Sequence, residues 1–228
     1  YTIDCHSFIT LNIFYHPFIT TVAAMSSYLN ADKTYLTLTP AGIFEAFSQN
    51  EPTDEQLALQ DLLSYGQTLL AADWLQRYSD IWLQSFIEQG WIEKLSLLLP
   101  APNLPLDQFL PYVVASLSGK RRAAIGSDEG FCLARIGYSQ EEADMLSVAA
   151  ADFSGFMLRQ KQRGWAVESQ AISFFQQVDL LIPETSFVFL WIDGAGYVLI
   201  IEGEPLTNSR AFVELVWALK TSGLKFLN

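Results

Sequence analysis

The sequence predicts an α+β protein: a mainly helical N-terminal region followed by an α/β sandwich with a central antiparallel sheet. Three observations carry this reading. Two pairs of apolar runs flank turn clusters, 122–125 and 131–136 around Ser127-Asp128-Glu129-Gly130, then 186–192 and 197–201 around Asp193-Gly194-Ala195-Gly196. That is the pattern of β-hairpins. Ser139 and Glu142 form a capping box ahead of a long run with helical apolar spacing. Between the regions, residues 97–105 (LLLPAPNLP) hold three prolines within six residues. Neither a helix interior nor a central strand tolerates them, so the chain divides near residue 101 into domains 1–100 and 101–228.

In the N-terminal region, residues 7–15 and 34–38 are rich in β-branched and aromatic side chains and read as strands. Thr39-Pro40 starts a helix with a cap and a proline at its first position, placing Ile43, Phe44 and Phe47 on one face. Thr53 and Gln56 make a second capping box before Leu59, Leu62 and Leu63. Leu70, Trp74 and Tyr78 continue at helical spacing, followed by Trp82, Phe86 and Ile87, and Gly90 stops the helix. The passage through Gly90-Trp91-Ile92 has the shape of a winged-helix turn. Arg77 and Lys94 are the only cations in this stretch, too few to grip nucleic-acid phosphates, so shape is all that is read there.

In the C-terminal region, Leu106, Phe109, Leu110, Val113, Val114 and Leu117 form a helical stripe closed by Gly119. After the first hairpin, the helix opened by Ser139 extends to about residue 163, with Leu146, Ala149, Ala150, Phe153 and Met157 inward. The run 170–182 reads as either helix or strand, and an outer strand is favoured because Pro183 and the next hairpin leave little room for another packed helix. A last helix runs from 208 or 209 to 221, with Phe212, Leu215, Val216 and Leu219 inward and Gly223 as its stop.

The composition of the 228-residue chain narrows the function classes. Half the residues are hydrophobic, with 16 Phe, 9 Tyr and 6 Trp, which excludes a disordered chain. The net charge of −12 disfavours nucleic acid as partner. Two cysteines, Cys5 and Cys132, make no disulfide framework and point to a cytoplasmic, reducing location. Residues 5–31 carry no charge, yet Asn12, His16, Pro17 and several Thr and Ser interrupt the roughly 20 apolar residues a membrane span requires. The run is expected to be buried in a core; no basic segment marks a signal peptide.

Beyond residue 103 the order is helix, two strands, long helix, three strands, helix. Glu129-Gly130-Phe131-Cys132-Leu133-Ala134-Arg135 is similar to a "dGfvla" hairpin, and the Ala-rich run 143–157 and the pair 187–193 and 197–202 fit beside it. Over about 103–226 the chain resembles the Roadblock / dynein light-chain domain family. The resemblance implies a non-enzymatic module that pairs through its central helix and the adjoining strand into a two-protomer platform. It implies a regulator or scaffold, with bacterial relatives acting on or beside small Ras-like GTPases. Carried onto this chain, the dimer interface falls on Leu146, Ala150, Phe153, Met157, Phe187 and Phe189.

Gly119-Lys120 is followed by Arg121 and preceded by Val114 where a phosphate loop needs glycine, so a P-loop is rejected. Lys120, Arg121 and Arg122 offset the dipole at a helix C-terminus, or serve as a patch for an acidic partner. Cys5, His6 and His16 lack the paired spacing of a zinc site, and Cys132 lies in an apolar strand as a small hydrophobe. No Gly-x-Ser-x-Gly elbow occurs, and Asp193-Gly194-Ala195-Gly196 lacks the following helix of a dinucleotide loop. Glu141, Glu142 and Asp144 are explained by the helix start they occupy. Neither cofactor nor metal is therefore expected. Trp74, Trp82 and Trp91, with Tyr78 and Phe86, form either core or an apolar docking surface.

The leading expectation is an acidic, dimeric, cytoplasmic protein-interaction module, a scaffold or regulator of a protein partner such as a small Ras-like GTPase. Competing classes are an acidic secretion-chaperone-like binding protein, an enzyme with a dispersed active site, and a transcription regulator using the Gly90 turn.

Overall fold

Two antiparallel sheets organise the chain in a computed structural model that describes residues 33–165, 170–178 and 180–223. The strand read at 7–15, the uncharged run 5–31 and the trio Cys5, His6 and His16 lie outside these residues. Mixed α+β structure is present as expected.

The smaller sheet is built by the N-terminal region. Strand β1 (Tyr35–Leu38) lies between β2 (Leu69–Leu70) and β3 (Ile92–Leu95), both antiparallel to it. Helix α1 (Pro40–Ala46) follows β1 directly, and the Thr39 hydroxyl accepts from Gly42 N at 3.1 Å. Helix α2 (Asp54–Asp61) has both halves of its capping box, Gln56 N to Thr53 Oγ1 at 3.3 Å and Thr53 N to Gln56 Oε1 at 3.0 Å. The single helix expected through Trp74 and Tyr78 is instead two pieces, α3 (Ala71–Leu75) and α4 (Asp80–Glu88), and Leu70 belongs to β2. The break falls where Ser79 caps α4 by accepting from Trp82 N, a competing start signal inside the apolar periodicity. At the other end of α4, Trp91 N donates to Phe86 O and Gly90 N to Ile87 O, with Gly90 at φ +72°. This Schellman cap turns the chain into β3. The winged-helix-like turn of the sequence is therefore the entry to an outer strand of the small sheet.

The larger sheet has five strands in the order β5-β4-β8-β7-β6. Its strands are β4 (Ala123–Ser127), β5 (Cys132–Ile136), β6 (Ala171–Phe174), β7 (Thr185–Ile192) and β8 (Ala195–Glu202). Asp193 and Gly194 join β7 to β8 with φ of +50° and +82°, the doubly left-handed turn whose twist matches a tight hairpin. The ambiguous run after residue 170 begins as outer strand β6, paired with β7.

Alternation along the strands divides this sheet into two apolar faces. Ala124, Phe187, Phe189, Val198 and Ile200 face the long helix α6 (Gln140–Gln162). Ile125, Val188, Leu190, Leu199 and Ile201 face α5 (Leu106–Ala115) and α7 (Arg210–Gly223). Covering on both faces explains why β7 and β8 read as nearly unbroken apolar runs. The cluster under α5 and α7 continues into the N-terminal region, across the proline-rich segment. Phe44 meets Phe212 with ring centroids 5.0 Å apart, and Trp217 Nε1 donates to Tyr65 O at 2.8 Å. Trp191 N donates to Phe47 O at 2.9 Å, tying β7 to the end of α1.

Candidate functional site

Helix α6 leaves several of its apolar side chains exposed. Its start is fixed by the expected capping box, with Glu142 N donating to Ser139 Oγ at 3.2 Å and Ser139 N to Glu142 Oε2 at 2.7 Å. That backbone hydrogen bond, together with nearby Arg122, holds the Glu142 carboxyl below its ordinary pKa. Ala143, Ser147 and Ala150 are buried against the sheet. Gly126 permits the approach, since a Cβ there would stand 3.1 Å from Ser147 Oγ. On the outward side, Met145 is 62% and Val148 56% exposed, and Phe156 is also exposed.

Apolar exposure continues past the sheet edge. Phe153 packs on Phe174 and Phe187 at centroid distances of 5.4 and 5.1 Å. Leu146, Ala149, Phe174 and Phe175 line a shallow groove of about 330 Å³ between α6 and the β6 side of the sheet. Beyond β6, Val178 is 98% exposed, and Leu180 and Ile182 are exposed as well. Exposed apolar side chains, where they join into one patch, mark interaction sites.

The six residues placed at the dimer interface by the resemblance occupy the inner side of this region. Ala150, Phe187 and Phe189 are buried between α6 and the sheet, with Leu146, Phe153 and Met157 packed against them. They hold the helix down, while Met145 and Val148 present the outer surface. Periodicity in the sequence marks only the inward stripe. The available signal was apolar residues on both sides of one helix, more than a one-faced burial requires.

The cationic cluster is largely committed within the chain. Lys120 Nζ reaches Glu202 at 3.3 Å and Glu184 at 3.4 Å, which raises the Lys120 pKa. Arg122 pairs with Glu202 at 3.0 Å and Glu142 at 3.1 Å, with its guanidinium 4.6 Å from the Tyr138 ring centroid. Burial, and then the Glu202 charge, push the Tyr138 hydroxyl well above its ordinary value. Arg121 is exposed, at φ +55°.

The aromatic group forms a row. Trp74 meets Tyr78 at 4.8 Å, Tyr78 meets Trp82 at 6.4 Å, Trp82 meets Phe86 at 6.3 Å, and Phe86 meets Trp91 at 5.7 Å. Trp74 is fully buried and donates its indole N–H to Ala58 O at 3.1 Å, so its ring is core. Trp82 and Trp91 are half-buried. Cys132 is half-buried too, and desolvation raises its thiol pKa, away from thiolate reactivity.

Among the described residues, no group of three or more His, Cys, Asp or Glu is placed to hold a metal ion. No described helix is long and apolar enough to cross a membrane. The chain matches no protein-family model, no curated protein and no solved structure.

Proposed function

We propose that this chain is a non-enzymatic protein-interaction module of Roadblock-like fold that pairs with a second copy and serves as scaffold or regulator of a protein partner such as a small Ras-like GTPase. The element order from α5 onward supports the fold reading: helix, two strands, long helix, three strands, helix. The GTPase partner follows from the family resemblance.

The outer face of α6 carries the pairing. Exposed Met145 and Val148 supply apolar area, and the charges along the helix are sorted by sign. Glu141, Asp144 and Asp152 lie towards its start and middle, whereas Arg159, Lys161 and Arg163 gather at its end. Two such helices packed antiparallel about a two-fold axis bring the acidic start of one towards the basic end of the other. A two-fold interface requires this kind of self-complementarity.

Light scattering on the full chain tests the pairing. The expected mass is twice the 25.6 kDa of one chain, falling to one chain in the double variant Met145→Asp/Val148→Asp. A monomer at tens of micromolar protein overturns the two-copy reading.

A further inference from the structure

The tip of the β4–β5 hairpin rests on the helix that carries the pairing. Gly130, at φ +90°, brings its backbone so close to α6 that a Cβ there would stand 3.5 Å from Val148 Cα and 3.6 Å from Ala151 Cβ. Hydrogen bonds hold the tip in this position. Ser127 N donates to Phe131 O at 2.9 Å, Gly130 N to Ser127 O at 3.0 Å, and Phe131 N to Ser127 Oγ at 3.2 Å. Asp128 N donates to Gly196 O at 3.0 Å, which ties the tip to β8 as well.

Phe131 directly follows this contact and is 64% exposed. The turn requires a glycine at 130, where φ is positive, but nothing in a hairpin requires an aromatic at the next position. An exposed ring on a backbone that is already ordered is suited to association, because little further freedom is lost when a partner covers it. Val148, the residue under Gly130, belongs to the apolar outer face of α6, so Phe131 extends that face beyond the helix.

Charge selects the occupant. The tip meets α6 at Val148 and Ala151, on the side of the acidic start rather than the basic end. Glu129 is exposed at the tip, and Glu141 and Asp144 are exposed at the helix start. In the antiparallel arrangement of two α6 helices, this acidic half faces the end of the second copy that carries Arg159, Lys161 and Arg163. The tip therefore bears the sign that a second copy of this chain complements.

We propose that the β4–β5 tip is part of the pairing face, with the Phe131 ring buried against α6 of a second copy and Glu129 directed towards that copy's basic end. This rests on the two-copy reading and adds to it an anchor outside the helix.

Light scattering over a dilution series of the full chain measures the dissociation constant of the pair. Phe131→Ser is expected to raise it about tenfold or more, as loss of an anchor side chain does. Glu129→Lys is expected to raise it too, and to reduce its dependence on salt. Tyr112→Ser removes an aromatic that is 78% exposed on α5, across the sheet, and is expected to leave it unchanged. All three side chains are exposed, so far-ultraviolet circular dichroism is expected to match that of the wild type. A wild-type constant in Phe131→Ser, or equal weakening in Tyr112→Ser, overturns the proposal and leaves pairing to α6 alone. A wild-type chain that stays monomeric overturns the two-copy reading itself.

Discussion

Gly42 shows how strictly one position can be set. A Cβ there would stand 2.1 Å from the Trp91 carbonyl oxygen, the atom that also accepts from Thr39 N at 3.0 Å. Close approach of two backbones leaves room only for hydrogen, so α1 and the turn before β3 are seated by a missing side chain. Tyr138 is set by electrostatics instead. Its hydroxyl is buried without a well-formed hydrogen bond, beside a carboxylate, and its pKa lies above the ordinary 10.0. The neutral phenol is thus favoured in the folded state, and its contribution is complete below pH 10.0. Above that pH the unfolded chain releases the proton first, so stability falls as pH rises. Tyr138→Phe is expected to leave stability at neutral pH unchanged or slightly higher, and to flatten the alkaline decline. Urea denaturation across the alkaline range measures it, and an unchanged slope refutes the assignment. Neither role is legible in the sequence: nothing local to Gly42 marks the approach of Trp91, and Tyr138 owes its state first to burial and then to Glu202, which is distant in the chain.

Elements were legible where local chemistry decides them. Thr39, Thr53 and Ser139 each cap the helix expected of them, because a cap and its partner lie within three residues. The Asp193-Gly194 turn was equally local. Reading failed at Tyr78, where apolar spacing ran on across a break that Ser79 imposes, and at Leu70, whose pairing with Tyr35 is a long-range matter. Within α6 the inward stripe was readable, but the outer apolar residues carry no local mark of what they face. Capping makes a direct prediction for this element. Ser139→Ala removes an acceptor for Glu142 N, and is expected to cost about 1 kcal/mol of stability. Ser139→Asp should restore most of it, as measured by the urea midpoint at constant m. Equal loss in both variants would place the effect elsewhere than in the cap.

At the scale of the whole molecule, the boundary read near residue 101 coincides with a change of sheet but not with a gap in apolar packing. Leu36, Ile43 and Phe47 belong to the same cluster as Leu110, Val188 and Leu215. Phe212 stands at the junction, fully buried against Phe44. Phe212→Ala is expected to cost about 3–5 kcal/mol, the range for emptying a large aromatic from a core. It should lower one unfolding transition followed alike by tryptophan fluorescence and far-ultraviolet circular dichroism. Two separated transitions would show instead that the regions melt independently. The cross-region packing was not legible because periodicity shows that a face is apolar, not which distant face covers it. Its consequence reaches into synthesis. Residues 34–95 leave the ribosome well before Phe212 and Trp217, the last-made side chains on which they rest. Until the final helix emerges, Phe44 lacks its Phe212 neighbour and the Tyr65 carbonyl its Trp217 donor, so the first region is made before part of its native cover exists.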